Sequence, residues 1–169
     1  MGLRRGWAVL LLLVGCGAAH ASDLESRVKA AFVYHFVQLT TWAEGLPDGP
    51  LDVCLLGDDP VAEALAALQG KAVGGRGVRT GTCAPGRRCG CEVVYVGRSE
   101  AGRLQADLAA LGPGVLTVSD IPGFADRGGM IELVKRQGRL RFRIHRGRAA
   151  RAGLRFDARL LALAEEVLP

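Results

Sequence analysis

The chain has 169 residues, 49% of them hydrophobic and 23% charged, with a formal net charge of +5. That is the size and composition of one globular domain with a sizeable core, and it excludes a disordered chain, a collagen and a coiled coil. No apolar run approaches the ~20 residues of a bilayer span, which excludes a polytopic membrane protein.

Residues 1–21 read as a secretory signal peptide. Arg4 and Arg5 give a positive start, Trp7 to Val14 an apolar stretch, and Ala19-His20-Ala21 a small-residue cleavage site before Ser22. A second cut is readable: Leu13-Val14-Gly15-Cys16 has the form of a lipobox, which would make Cys16 a lipidated N-terminus. Residues 22–169 then form the domain.

Residues 24–41 are expected to be a helix. Ser22 and Glu25 have capping-box spacing, and Leu24, Val28, Ala31, Phe32, His35 and Leu39 share one face. Val33, Tyr34, Phe36 and Val37 lie off that face, so the second half is apolar nearly all round. Phe32 and Phe36 read as core. Tyr34 and Trp42 are candidates for binding a partner, because aromatics are enriched at binding hot spots.

A βα unit follows. Asp52 to Leu56 reads as a strand, Asp59 as an N-cap, and Pro60 as the first residue of a helix that Gly70 ends. A short strand is expected near 76–80 and a second strong one over 92–96. Ser99 then caps a helix to about Leu111, and 115–118 is a third core strand. Strands 130–135 and 139–145 form a hairpin turning at Gln137-Gly138. Leu140, Phe142 and Ile144 alternate there with Arg139, Arg141 and Arg143. A last helix is expected from about Asp157 to Val167. This order predicts an α/β fold: one domain, a mixed sheet with helices on both faces, and a C-terminal antiparallel hairpin.

Charge is uneven. From Arg127 to Arg159 there are 11 basic residues and two acidic ones. This suggests an anionic partner or a solvated face. Export disfavours nucleic acid as that partner.

After the leader four cysteines remain, and an oxidising compartment implies disulfides with three connectivities open. Cys54–Cys91 with Cys83–Cys89 is the pairing chosen. Cys54 sits in one expected strand and Cys91 at the start of another, so sheet packing can join them. A metal is the rival reading, with Cys83, Cys89 and Cys91 as three thiolates. No histidine lies near and no paired Cys-x-x-Cys is present, so disulfides are expected and no metal.

No catalytic motif is found: no nucleophile elbow, no His-Glu-x-x-His, no Walker loop. His35 reads as a core residue. Ser119-Asp120 and Asp58-Asp59 read as caps. Gly57-Asp58-Asp59-Pro60 would repel an anion, whereas Gly97-Arg98-Ser99 would welcome one. No catalytic residue and no cofactor are expected, and binding or regulation is favoured over catalysis.

The ordered motifs resemble the YfiR family of periplasmic regulators. They are Lys29-Ala-Ala-Phe-Val-Tyr-His-Phe36 with Trp42, Leu51 to Pro60, Gly70 to Arg76, Cys91 to Ser99, Val115 to Phe124, Arg127-Gly-Gly-Met-Ile131, Arg141 to Ile144 and Ala149 to Leu163. The resemblance covers about residues 28–165. It implies a regulator that holds an inner-membrane diguanylate cyclase, or a similar receptor, inactive by binding its periplasmic domain. It also implies tuning by disulfide state, a homodimer, and an outer-membrane lipoprotein that sequesters the regulator. Cys54 and Cys91 match family cysteines, whereas Cys83 and Cys89 lie in a variable region. On this reading the helix and the hairpin, with Tyr34, Trp42, Arg141 and Arg143, contact the partner.

The family's ligand-associated segment corresponds to Gly153-Leu-Arg-Phe-Asp157. Arg155 matches a basic position, but Asp157 stands where histidine or serine is more usual. The alternative is a solute-binding sensor that holds an anionic small molecule through Arg76, Arg127 and Arg155.

Overall fold

The computed structural model describes residues 17–46 and 48–169, with side chains from residue 21. The leader motifs at Arg4, Arg5 and Cys16 lie outside the described residues.

Helix α1 (Gly17–Gln38) is followed by β1 (Thr40–Trp42), β2 (Leu51–Leu56), α2 (Ala62–Ala66), β3 (Ala72–Val73), β4 (Arg76–Cys83) and β5 (Val93–Val96). A 3-10 turn over Arg98–Gly102 leads into α3 (Leu104–Leu111), β6 (Leu116–Ser119), β7 (Ile131–Arg136) and β8 (Arg139–His145). The chain closes with α4 (Arg146–Arg151), β9 (Leu154–Phe156), α5 (Ala158–Leu163) and β10 (Glu166–Leu168).

The main sheet is mixed, in the order β10-β8-β7-β6-β5-β2-β4-β3. Strands β4, β2, β5, β6 and β7 are mutually parallel; β8 is antiparallel to β7, and β3 to β4. Strand β5 explains why its sequence is one apolar run. Val93 and Tyr95 enter the core under α1 and α2, and Val94 and Val96 the core under α3, all four fully buried. A strand covered on both faces loses its alternation. Each such side chain contributes roughly 1.5–3 kcal/mol of burial. The hairpin turns at Gln137 and Gly138, both at positive φ, as a two-residue turn requires.

Several expectations change. Helix α1 begins at Gly17, so Ser22 lies within it and is not its cap. Its buried face is Ser26, Lys29, Ala30, Val33, Phe36 and Val37, and the expected core residues Leu24, Val28, Ala31 and His35 are exposed. The helix stops at Gln38. Thr40, Thr41 and Trp42 instead pair antiparallel with Phe156, Arg155 and Leu154 in a separate two-stranded sheet. The second helix is only five residues long, with Asp59 accepting from the Val61 N–H at 3.0 Å just before it. Ser99 does not cap α3; its Oγ accepts from the Asp58 N–H at 2.8 Å and donates to Glu100. The last helix ends at Leu163, and β10 then joins the sheet parallel to β8.

Candidate functional site

Helix α1 and the hairpin meet along a groove of about 460 Å³, which the 120–126 loop completes. Its floor is ionic. Lys29 projects from the buried side of α1 because its neighbours Ser26, Ala30 and Val33 face the sheet. Its Nζ donates to Asp120 Oδ2 at 2.6 Å and lies 3.0 Å from Glu25 Oε1. Asp120 follows β6 directly and also takes Arg98 Nε at 2.9 Å. Lys135, from the hairpin, reaches Glu25 Oε2 at 2.8 Å. Four segments distant in sequence are thereby tied at one point.

Burial works to raise the Asp120 pKa, but hydrogen bonds from Arg98 and Lys29 overcome it and hold the carboxyl below its usual value. Lys29 shows the converse balance. Desolvation opposes its charge, and Asp120 and Glu25 restore it. Glu25, bonded to Lys135 and Lys29, is held down at about 2. Beneath them the Tyr95 hydroxyl is buried, and its ionisation is pushed up by burial and by the charge of Asp120.

Arg143 forms the second node. It is 15% exposed and binds Asp126 at 2.8 Å, Glu132 at 3.0 Å and Glu166 at 2.6 Å. Glu132 is buried as well, and its carboxylate accepts from the backbone N–H groups of Gly123 and Ala125. Arg143 thus braces the 120–126 loop against the hairpin and is not a free surface cation. Five basic and four acidic side chains line the groove. Such a near-balanced lining suits a protein surface with complementary charges better than a free anion.

The other candidates scatter. Arg141 is exposed on β8. Tyr34 is half-buried; its hydroxyl donates to the Ala72 carbonyl at 2.7 Å, and the Lys71 ammonium lies 5.7 Å from its ring centre. Trp42 is buried, its indole N–H donating to the Gly114 carbonyl at 2.8 Å. Arg76 donates to the carbonyls of Gly49 and Leu46, and Arg127 to that of Ala101. Arg155 is exposed on β9, and Asp157 caps α5 and accepts from Arg159. Arg76, Arg127, Arg155 and Asp157 line neither this groove nor the one described next.

That second groove, of about 560 Å³, is lined by Trp42, Arg88, Cys89, Cys91, Glu92 and Arg151 among others. At its wall Cys54 is bonded to Cys91 and Cys83 to Cys89, with Cα separations of 6.2 and 5.6 Å. Both lie in the ordinary range for a bridge.

The crevice between the ends of β2 and β5 is closed from within. The Arg98 N–H donates to the Asp59 carboxylate at 3.2 Å. Side chains of Ser99 and Glu100 pack so tightly on Gly57 that a Cβ there would overlap them. The anion-friendly turn at Gly97-Arg98-Ser99 is therefore occupied by the protein's own carboxylate. His35 contacts Gln38, and His145 Nδ1 accepts from the Arg148 N–H.

Sequence reasoning missed Lys29, Arg98 and Asp120 as a set. Asp120 reads as a cap by position, and Ser119 does accept from the Ile121 N–H at 3.0 Å. A lysine among apolar helix residues was the one available signal, since such a charge needs a buried partner.

A family model described as YfiR/HmsC-like matches residues 26–165. No curated protein matches the chain. The match takes in α1 from Ser26 onward, the groove apart from Glu25, the hairpin and both disulfides.

Proposed function

The chain belongs to the YfiR/HmsC-like family, and from that premise we propose that it represses a membrane-bound diguanylate cyclase by binding the cyclase's periplasmic domain. Family members are regulators of this kind and are periplasmic. Among the described residues no helix is long and apolar enough to cross a membrane. Residues 1–21 serve as the export signal and 22–169 as the regulatory domain, with lipidation at Cys16 the other fate of the leader. A homodimer and a sequestering outer-membrane lipoprotein belong to the same reading.

The observation that carries the proposal is the junction of α1 with the hairpin. Leu24 and Val28 stand exposed on α1, at 62% and 37% of their surface, next to the ionic groove. An apolar strip beside compensated charges is the pattern of a protein-docking surface. Of the residues expected to contact the partner, Arg143 lines this groove, and Tyr34, Trp42 and Arg141 do not.

The test is cellular cyclic di-GMP with the gene deleted and then restored. Deletion should raise the level and the wild-type gene should lower it again. A folded Leu24→Asp/Val28→Asp variant should fail to do so. No rise on deletion, under conditions of expression, sinks the repressor reading.

A further inference from the structure

The two disulfides are not separate features. The sulfurs of Cys54, Cys83, Cys89 and Cys91 all lie within 4.8 Å of one another. Cys89 Sγ is only 3.2 Å from Cys91 Sγ, across the two bridges. Strand pairing fixes half of the set. Cys54 lies opposite Gly81 on β4 and Cys83 opposite Leu56 on β2. Gly81 adjoins the Cys54 sulfur, and a Cβ there would make ordinary contact with it at 3.4 Å.

Zinc in a tetrahedral four-thiolate site lies about 2.3 Å from each sulfur, which sets the sulfurs about 3.8 Å apart. The separations here bracket that distance: the two bonded pairs are closer, and none of the rest exceeds 4.8 Å. The fold also supplies the fourth ligand that the sequence reading lacked, by bringing Cys54 to the loop cysteines.

We infer that the reduced chain holds one zinc ion in a site made by Cys54, Cys83, Cys89 and Cys91. This corner of the domain then has two closed forms, paired disulfides or a metal centre. Cys54 and Cys83 are buried, while Cys89 and Cys91 are half-buried and line the 560 Å³ groove, which gives reductant and metal a way in. Arg88 and Arg151 line the same groove, as do Glu44 and Glu92.

The chemistry balances with a dithiol as reductant. For each bridge the donor gives two electrons and two protons, leaves as its own disulfide, and two cysteine thiols remain. Zinc then displaces four thiol protons to the solvent. A disulfide-forming oxidant reverses this, taking two electrons per bridge and expelling the ion. The inference stands on sulfur geometry and does not depend on the cyclase reading.

The test uses the purified chain, reduced without oxygen by a phosphine. It is titrated with zinc against a chromogenic chelator, and in parallel with cobalt(II) as a spectroscopic probe. One equivalent of zinc per reduced chain and none per oxidised chain is expected. The cobalt complex should show the bands of a tetrahedral four-sulfur site, with far-ultraviolet circular dichroism like that of the oxidised protein. Cys54→Ser should weaken zinc binding at least about tenfold. The inference is overturned by no uptake on reduction, by equal uptake in both redox states, by a six-coordinate cobalt spectrum, or by binding only to an unfolded chain. Should Cys54→Ser not fold, the wild-type cobalt spectrum decides, because it counts the sulfurs directly.

Discussion

The Lys29 ammonium donates to the Asp120 carboxylate at 2.6 Å across 91 residues of sequence, and the two side chains are 9% and 3% exposed. Removing one partner of such a pair strands the other charge in a poor solvent. Asp120→Asn should therefore cost about 3 kcal/mol in urea unfolding. Lys29→Met should cost less: Asp120 keeps Arg98, whereas Asp120→Asn takes the carboxylate from both Lys29 and Arg98 and leaves Lys29 with Glu25 alone. The double variant should lose less than the sum of the two, as coupled neighbours do. Additive losses would show that the pair is not coupled.

The same network sets the response to acid. Glu25 is held near 2 by Lys135 and Lys29, against an ordinary value of 4.5. Asp120 is also lowered, burial being outweighed by Arg98 and Lys29. Lowered carboxylates stabilise the fold above their unfolded pKa, and that stability is lost as pH falls through the folded value. Thermal stability should hold from neutrality to about pH 4.5 and fall from there toward pH 2. Glu25→Gln should lower the plateau and flatten the fall. An unchanged acid limb in that variant would remove Glu25 from the account.

The two bridges should differ in worth. Cys54–Cys91 spans 37 positions and Cys83–Cys89 only 6. In the chain-entropy account the longer loop is worth about 4 kcal/mol and the shorter about 2 kcal/mol. Cys54→Ser/Cys91→Ser should thus shift the urea midpoint further than Cys83→Ser/Cys89→Ser. The reverse order would place the stabilisation in local packing around the loop.

Gly128 and Gly129 are needed for different reasons. Gly128 sits at φ 111°, which side chains rarely adopt. At Gly129 a Cβ would overlap the ring of Phe124, which is fully buried and has nowhere to go. Gly129→Ala should destabilise the domain by about 1–3 kcal/mol, the usual range for overpacking. A melting temperature equal to wild type would mean that the ring moves.

Local signals were enough for the central strands and the hairpin. Leu140, Phe142 and Ile144 alternate with arginines, and Val93 to Val96 is apolar throughout, so each strand declares its own environment. Helix α1 is harder. The stripe from Leu24 through Val28 to Leu39 and the stripe from Ala30 through Val33 to Val37 both have helical spacing. Packing on the sheet selects the second, which buries Ala30, Val33, Phe36 and Val37; of the first stripe Phe32 reaches Phe142 too, at 5.7 Å between ring centres against 5.0 Å for Phe36. Strand β1 was hidden for a related reason. Thr40 to Trp42 takes its form from pairing with Leu154 to Phe156, more than a hundred positions away. Of the candidate site, the helix and hairpin were legible. The ionic floor was not, because Asp120 looks like any residue at a strand end until Lys29 and Arg98 arrive.

Fold and docking can be separated with two substitutions. Trp42 is buried and bonded to Gly114, so Trp42→Ala should cost about 3–5 kcal/mol. Any loss of repression in that variant would report unfolding. Arg141 is exposed and makes no ion pair among the described residues. Arg141→Ala should leave stability within about 0.5 kcal/mol of wild type. If the hairpin face meets an acidic partner, that variant should weaken association mainly through a slower on-rate, with a smaller salt dependence. The comparison needs urea curves and binding kinetics at two ionic strengths. Unchanged kinetics for Arg141→Ala would remove this arginine from the docking face and leave Leu24 and Val28 to carry it.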